Sequence, residues 1–158
     1  MHGANRTGRP FTGDHAGILL YQTLHHFGFA SHHESFAADD ELRLIQCRIT
    51  NAVKCLPPDN KPVGAEIATC NRFLANEIDG LADGAVVLAL GGIAHRAVLK
   101  ALGERQAPFK FAHGALHELG RLHLLDSYHC SRYNTNTGRL TADMFAAVFA
   151  AARELLEK

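Results

Sequence analysis

The stretch Leu122-His123-Leu124-Leu125-Asp126-Ser127-Tyr128-His129-Cys130-Ser131-Arg132-Tyr133-Asn134-Thr135-Asn136-Thr137-Gly138-Arg139-Leu140-Thr141 reads in three parts. The apolar run Leu122 to Leu125 predicts a buried strand. Residues 127–139 are polar and predict a loop. From Thr141 onward Met144, Phe145, Val148, Phe149, Ala152 and Leu156 recur at helical spacing, which predicts a helix over 141–157 with that face to the core. Strand, polar loop and helix N-terminus form the usual frame of a site in an α/β sheet, because ligands bind outside the carboxyl ends of strands. The loop carries one imidazole, two guanidinium groups, several hydroxyl and amide side chains and Gly138, with no carboxylate between Ser127 and Thr141. That surface suits anions, phosphates above all. A solvated loop of turn formers has the same composition.

Working outward, Ala85-Val86-Val87-Leu88-Ala89-Leu90 is a continuous apolar run, the pattern of a strand buried on both faces. Gly91-Gly92 turns it into a helix carrying Ala94, Val98, Leu99 and Leu102. Ile67, Cys70, Phe73, Leu74 and Ile78 mark the helix before it. Leu44 to Val53 predicts another strand, and Pro57, Pro58 and Pro62 exclude regular structure over residues 55–62. Residues 31–41 form a polar connection. At the front, residues 1–13 are a glycine-rich loop and Asp14 is placed to cap a helix. Leu20, Leu24 and Phe27 share a face of that helix, and Gly28 stops it. Residues 106–121 stay ambiguous, with a short strand at Phe109 to Phe111 and a turn at Gly114. Helices alternating with strands predict an α/β fold, a three-layer α/β/α sandwich with a mainly parallel central sheet. Three strands are few for this length. The chain reads as if it starts inside a β-loop-α unit.

A length of 158 residues predicts a single domain over 1–158 with a real core. Hydrophobic residues at 47% and charged residues at 20% exclude a disordered or fibrous chain. The apolar stretches are too short to span a bilayer, and Met1 is followed by polar residues and glycines rather than a signal peptide. The expectation is a cytoplasmic monomer with no membrane partner. Sixteen basic and sixteen acidic residues cancel, so a nucleic-acid partner requires a local basic patch. Arg6 with Arg9, and Arg132 with Arg139, are the candidates. Most of the eleven histidines lack ligand spacing.

Four local features carry chemistry. Gly8-Arg9-Pro10-Phe11-Thr12-Gly13-Asp14-His15-Ala16-Gly17 precedes a helix, where an anion or water can sit, or where Asp14 simply caps. Asn51, near a strand end, can donate and accept at a nucleobase edge, or merely end the strand. Cys55 and Cys70 flank the proline loop and are soft-metal ligand types, but two thiols do not fill a metal site. Cys47 is expected to pack in the core. Cys130 sits in the polar loop.

Taken together these residues resemble the iron-sulfur group of uracil-DNA glycosylases, most closely family 5. The fragments occur in order: residues 5–14, then Thr50-Asn51-Ala52-Val53-Lys54-Cys55-Leu56-Pro57-Pro58, then Leu88-Ala89-Leu90-Gly91-Gly92. Phe111-Ala112-His113-Gly114 follows, then Ser127-Tyr128-His129 with Asn134 to Thr141. The resemblance implies a preceding strand and two further cysteines ahead of residue 1, so the usual first strand and N-terminal cysteine segment are missing from this chain. The family's His-Pro-Ser is His129-Cys130-Ser131 here.

By that resemblance the expected activity is flipping and hydrolytic removal of uracil, and of other deaminated bases, from DNA in base excision repair. It implies Asp14 and His129 as catalytic residues and Asn51, Phe11 and Gly13 as the base pocket. Ser131, Arg132, Asn134, Asn136, Thr137 and Arg139 would contact DNA. Cys55 and Cys70 would supply two of four ligands to a 4Fe-4S cluster. A non-catalytic DNA-binding remnant and a small-ligand α/β protein are the competing expectations.

Overall fold

The computed structural model describes residues 9–37, 39–52 and 64–158, with residues 64–70 by backbone alone. In chain order the elements are α1 (His15–His26), α2 (Gly64–Asp79), β1 (Val86–Leu90), α3 (Gly92–Ala101), β2 (Leu116–Leu119), β3 (Leu122–Ser127), α4 (Arg132–Asn136) and α5 (Ala142–Leu156). The fold is α/β, as expected. Contacts divide the chain into two compact units: residues 1–50 with 129–157, and residues 51–128.

The continuous unit holds a three-stranded sheet in the order β1-β3-β2. β1 and β3 run parallel, from Val86 opposite His123 to Leu90 opposite Ser127. β2 pairs antiparallel to β3, with Leu116 opposite Leu125 and Leu119 opposite Leu122. Gly120, at φ 63°, turns the β2–β3 hairpin in a conformation that costs a glycine little. Leu74, Ile78, Val98, Leu99, Leu119, Leu122 and Leu124 close the core over this sheet. Each such side chain contributes about 1.5–3 kcal/mol by leaving water. Asn71 is buried with them, and its amide donates to the Ala97 carbonyl at 2.7 Å, which removes the cost of burying it.

The discontinuous unit is helical. Asp14 accepts from the Gly17 amide at 2.9 Å and starts α1, and Gly28 at φ 75° follows its end. Thr141 accepts from the Met144 amide and starts α5. Phe145 and Phe149 pack edge to face at 5.1 Å, and Phe29 and Phe27 lie on Phe149. Leu20, Tyr21, Leu24, Val148 and Ala152 fill the remaining core.

Several expectations change. Residues 44–52 form no strand; an isolated bridge from Ala30 to Leu44 is the ladder's whole extent there. Gln46 lies at φ 55°, which breaks an extended run, and Ile45 is 44% exposed. Phe109 to Phe111 is irregular, and the third strand comes later, as β2. β1 is half-buried, with Ala89 its one fully buried residue. Leu156 is exposed rather than core. The polar loop after His129 contains the short helix α4, because Ser131 accepts from the Asn134 amide and caps it. No helix of the described residues is long and apolar enough to cross a membrane.

Candidate active site

The glycine-rich loop is braced from behind. The Arg9 guanidinium pairs with the Asp40 carboxylate, and it also donates to Ser35 Oγ at 2.9 Å and to the Leu42 carbonyl at 3.3 Å. Asp40 additionally accepts from Ser35 Oγ and from the amides of Phe36, Ala37 and Leu42. Burial works against its charge, but the guanidinium and these donors outweigh it and hold the carboxyl well below the usual range. Arg9 is therefore an internal strut, not the surface cation the sequence suggested. Arg6 lies outside the described residues.

Tyr21 on α1 donates to the Pro10 carbonyl at 2.8 Å, and burial pushes its phenol up. Thr12, fully buried, shares a hydrogen bond with Ser35. Between these anchors Phe11 sits at φ 60° and Gly13 at φ 73°. A left-handed phenylalanine is costly and persists where its surroundings enforce it, a condition that clusters at functional sites. Gly17 explains the enforcement. A Cβ there would lie 1.7 Å from the Phe11 carbonyl oxygen, so the loop folds directly onto the first turn of α1.

His129 faces this loop. Its ring lies 5.8 Å from that of Phe11. Its Nδ1 is buried without a partner among the described residues. Burial pushes its pKa down from 6.5, and the negative charge of Asp14 pulls it back up. The ring is therefore neutral at pH 7, with one N–H to donate. Asn134 Nδ2 donates to the His129 carbonyl at 2.8 Å, which fixes the backbone that carries the imidazole. His15 and Thr135 hydrogen-bond at 3.1 Å and link α1 to α4. The Thr135 hydroxyl lies within bonding reach of the Ser131 and Arg132 carbonyls, so the His15 Nε2 hydrogen points at Thr135.

The structure thus gathers Phe11, Gly13, Asp14 and His129 in one unit, with Ser131 to Arg139 following them. Arg132, Asn136, Thr137 and Arg139 are exposed on and after α4. Ser131 and Thr137 use their hydroxyls locally, Ser131 as the cap and Thr137 on the Tyr133 carbonyl at 2.8 Å. Asn51 is exposed in the other unit and follows irregular chain rather than a strand end. Sequence reasoning missed Asn134 as a backbone clamp, and it missed His15 and Thr135. A cap signal at Ser131 would have pointed to Asn134 and Thr135 through α4, whereas no local spacing links His15 to them.

Cys55 lies outside the described residues, and Cys70 falls on α2 where side chains are not described. The described thiols do not fit an iron site. Cys47 is half-buried, donates to the Phe29 carbonyl at 3.4 Å and is pushed up by burial. It lies on irregular chain, not in a core strand. Cys130 is fully buried, and its thiol is pushed up to about 12 by burial, so it stays protonated and inert.

The model of the uracil DNA glycosylase superfamily matches residues 1–153. A type-5 uracil-DNA glycosylase of Thermus thermophilus is 49% identical over 98% of this chain and 70% of its own length. The type-5 enzyme of Mycobacterium bovis is 43% identical over 98% of this chain and 59% of its own. That of Pyrobaculum aerophilum is 42% identical over 96% and 66%. The chain spans about two thirds of the length of these relatives. Their likeness covers both units, including the loop at Asp14 and the segment at His129, and by it the chain belongs to the uracil DNA glycosylase superfamily.

Proposed function

We propose that this protein hydrolyses the N-glycosidic bond of deoxyuridine in DNA, as the first step of base excision repair. The observation that supports this best is the pairing of a neutral, half-buried imidazole with a carboxylate that acts on it, beside a strained aromatic loop, in a chain of this superfamily. The bond breaks as the N1–C1′ electron pair leaves with the base. Negative charge grows on uracil and positive charge on the sugar. A neutral His129 donates its N–H to the O2 oxyanion, where a positioned donor is most effective. Asp14 orients the water that adds to C1′, stabilises the cationic sugar and takes up the proton the water loses.

By resemblance, Phe11 and Gly13 would take the role of base-pocket residues and Asn51 that of reading the N3 and O4 edge, which a cytosine amine mismatches. Arg132, Asn136, Thr137 and Arg139 contact phosphates, with Ser131. Asn134 serves chiefly to hold His129. Other deaminated bases share the pocket chemistry. Cys55 and Cys70 would supply two thiolates to a 4Fe-4S cluster by resemblance; no step above depends on it. The protein is a cytoplasmic monomer acting on DNA.

The test is single-turnover release of uracil from a labelled duplex carrying one deoxyuridine, with wild type and His129→Ala. Wild type should leave an abasic site. The variant should bind the same DNA and react roughly a hundredfold or more slowly. Saturating DNA binding by wild type with no abasic site would overturn the reading.

A further inference from the structure

The glycosylase reading leaves one buried polar cluster unused. His95 on α3, His117 on β2 and Asp126 on β3 meet within residues 51–128. Asp126 is wholly buried and His95 is 2% exposed. His95 Nδ1 lies 2.8 Å from Asp126 Oδ1, and His117 Nε2 lies 3.0 Å from Asp126 Oδ2. His95 Nε2 lies 3.0 Å from the Phe109 carbonyl oxygen.

A carbonyl oxygen only accepts, so His95 Nε2 carries a hydrogen. In the neutral ring Nδ1 then presents a lone pair, aimed at a carboxylate oxygen that has lone pairs of its own. Such a contact is held either by a second ring proton between the two atoms or by an ion that both atoms ligate from one side. Metal-binding histidines are fixed in this way, with the non-ligating N–H donated to a backbone carbonyl. The separations of 2.8 and 3.0 Å are those of hydrogen bonds. Tetrahedral ligand atoms each about 2.0–2.2 Å from an ion stand roughly 3.3–3.6 Å apart, so binding an ion needs the donors to part by about half an ångström. The three residues each offer one ligand atom, and these atoms all lie within 4.8 Å of one another.

The surroundings support the same assignment. The donors sit on three rigid elements, and the β2–β3 ladder puts His117 opposite Leu124, two residues from Asp126 on the same face. Phe111 lies edge-on to His95 at 5.7 Å and Phe109 to His117 at 5.8 Å, which walls the cluster in apolar surface. β2 is an edge strand and the His117 side chain is 12% exposed, so an ion has a way in.

We infer that His95, His117 and Asp126 form a site for one divalent cation of the zinc class. Two imidazole nitrogens with one carboxylate suit a borderline ion and not magnesium or calcium, which take oxygen ligands. The bound ion ties α3 to β2 and β3.

The experiment uses the full chain with Cys55→Ser and Cys70→Ser, so that thiols do not compete, stripped with a chelator and titrated with Zn2+ and Co2+. The expected result is one bound equivalent and a raised melting temperature. The Co2+ form should show visible d–d absorption without a thiolate charge-transfer band. His117→Gln keeps a donor for Asp126 and should melt like the stripped parent, while binding the ion roughly tenfold or more weakly. Imidazole resonances of His95 and His117 should shift on adding Zn2+, a readout that needs no variant. No bound equivalent at saturation, unchanged resonances, or equal affinity in His117→Gln would each overturn the assignment and leave the cluster held by a proton.

Discussion

His129 sits where two opposing effects meet. Burial disfavours its charged form, and Asp14 favours it, with burial the larger. Replacing Asp14 by Asn removes the only upward pull, so the ring should titrate at still lower pH, as an NMR titration of its carbon-bound protons would show. The sign for stability follows. The unfolded ring charges as pH falls through 6.5, whereas the folded ring resists. Its contribution is complete above 6.5 and is lost as pH falls from there toward the folded value. Single-turnover rate should therefore stay level through pH 6.5 and decline below it, to the extent that the neutral ring is the donor. Asn51 belongs to a different residue environment, exposed and in irregular chain. Asn51→Ala should raise the barrier for uracil release by about 2–4 kcal/mol, the usual effect of losing a positioned donor. An unchanged rate would overturn the proposed role of Asn51.

The element that governs the site is the turn from the glycine-rich loop into α1. Tyr21, Arg9 and Thr12 anchor it from three sides, and Gly17 lets the Phe11 carbonyl rest on the helix. The blocking atom is backbone, so Gly17→Ala cannot be absorbed by a side-chain rotation. The variant should lose stability by about 2–4 kcal/mol, and its single-turnover rate should fall with Phe11 and Asp14 displaced. Thermal melting together with the rate checks this: a variant as stable and as fast as wild type would show that the loop does not depend on that close approach. α5, in contrast, was readable in advance, because its apolar spacing and Thr141 cap act locally. β1 and β3 were readable for the same reason. α4 was not, since the Ser, Asn and Thr residues that make a loop also cap a short helix. The expected strand over residues 44–53 is interrupted at Gln46 by a left-handed φ, residues 47–52 stay irregular, and Val53 lies outside the described residues.

Across the whole molecule, charge sums to zero. Under the proposed function DNA affinity comes from a few cations, and Arg9 is already committed to Asp40. Arg139→Ala should reduce the slope of log affinity against log salt by about 1 and weaken all sequences alike, measured by titrations at several salt concentrations. An unchanged slope would place Arg139 off the DNA. The candidate site was legible only in part for a reason of scale. Asp14 could be read as a cap and His129 as a loop imidazole, each from its neighbours in sequence. The Arg9–Asp40 strut and the His95–His117–Asp126 cluster join residues far apart in the chain, with no spacing that betrays them.

The division of the chain has a consequence for synthesis. Residues 51–128 are contiguous and can close their core as soon as they have left the ribosome. The other unit begins with the first fifty residues and waits for residues 129–157. Asp14 emerges before residues 51–128 and His129 after them, so the carboxylate and the imidazole can meet only once that segment has been made. Domains fold as units during synthesis, the N-terminal ones usually first. Here the order is inverted: residues 51–128 can mature before residues 1–50, whose core waits for residues 129–157.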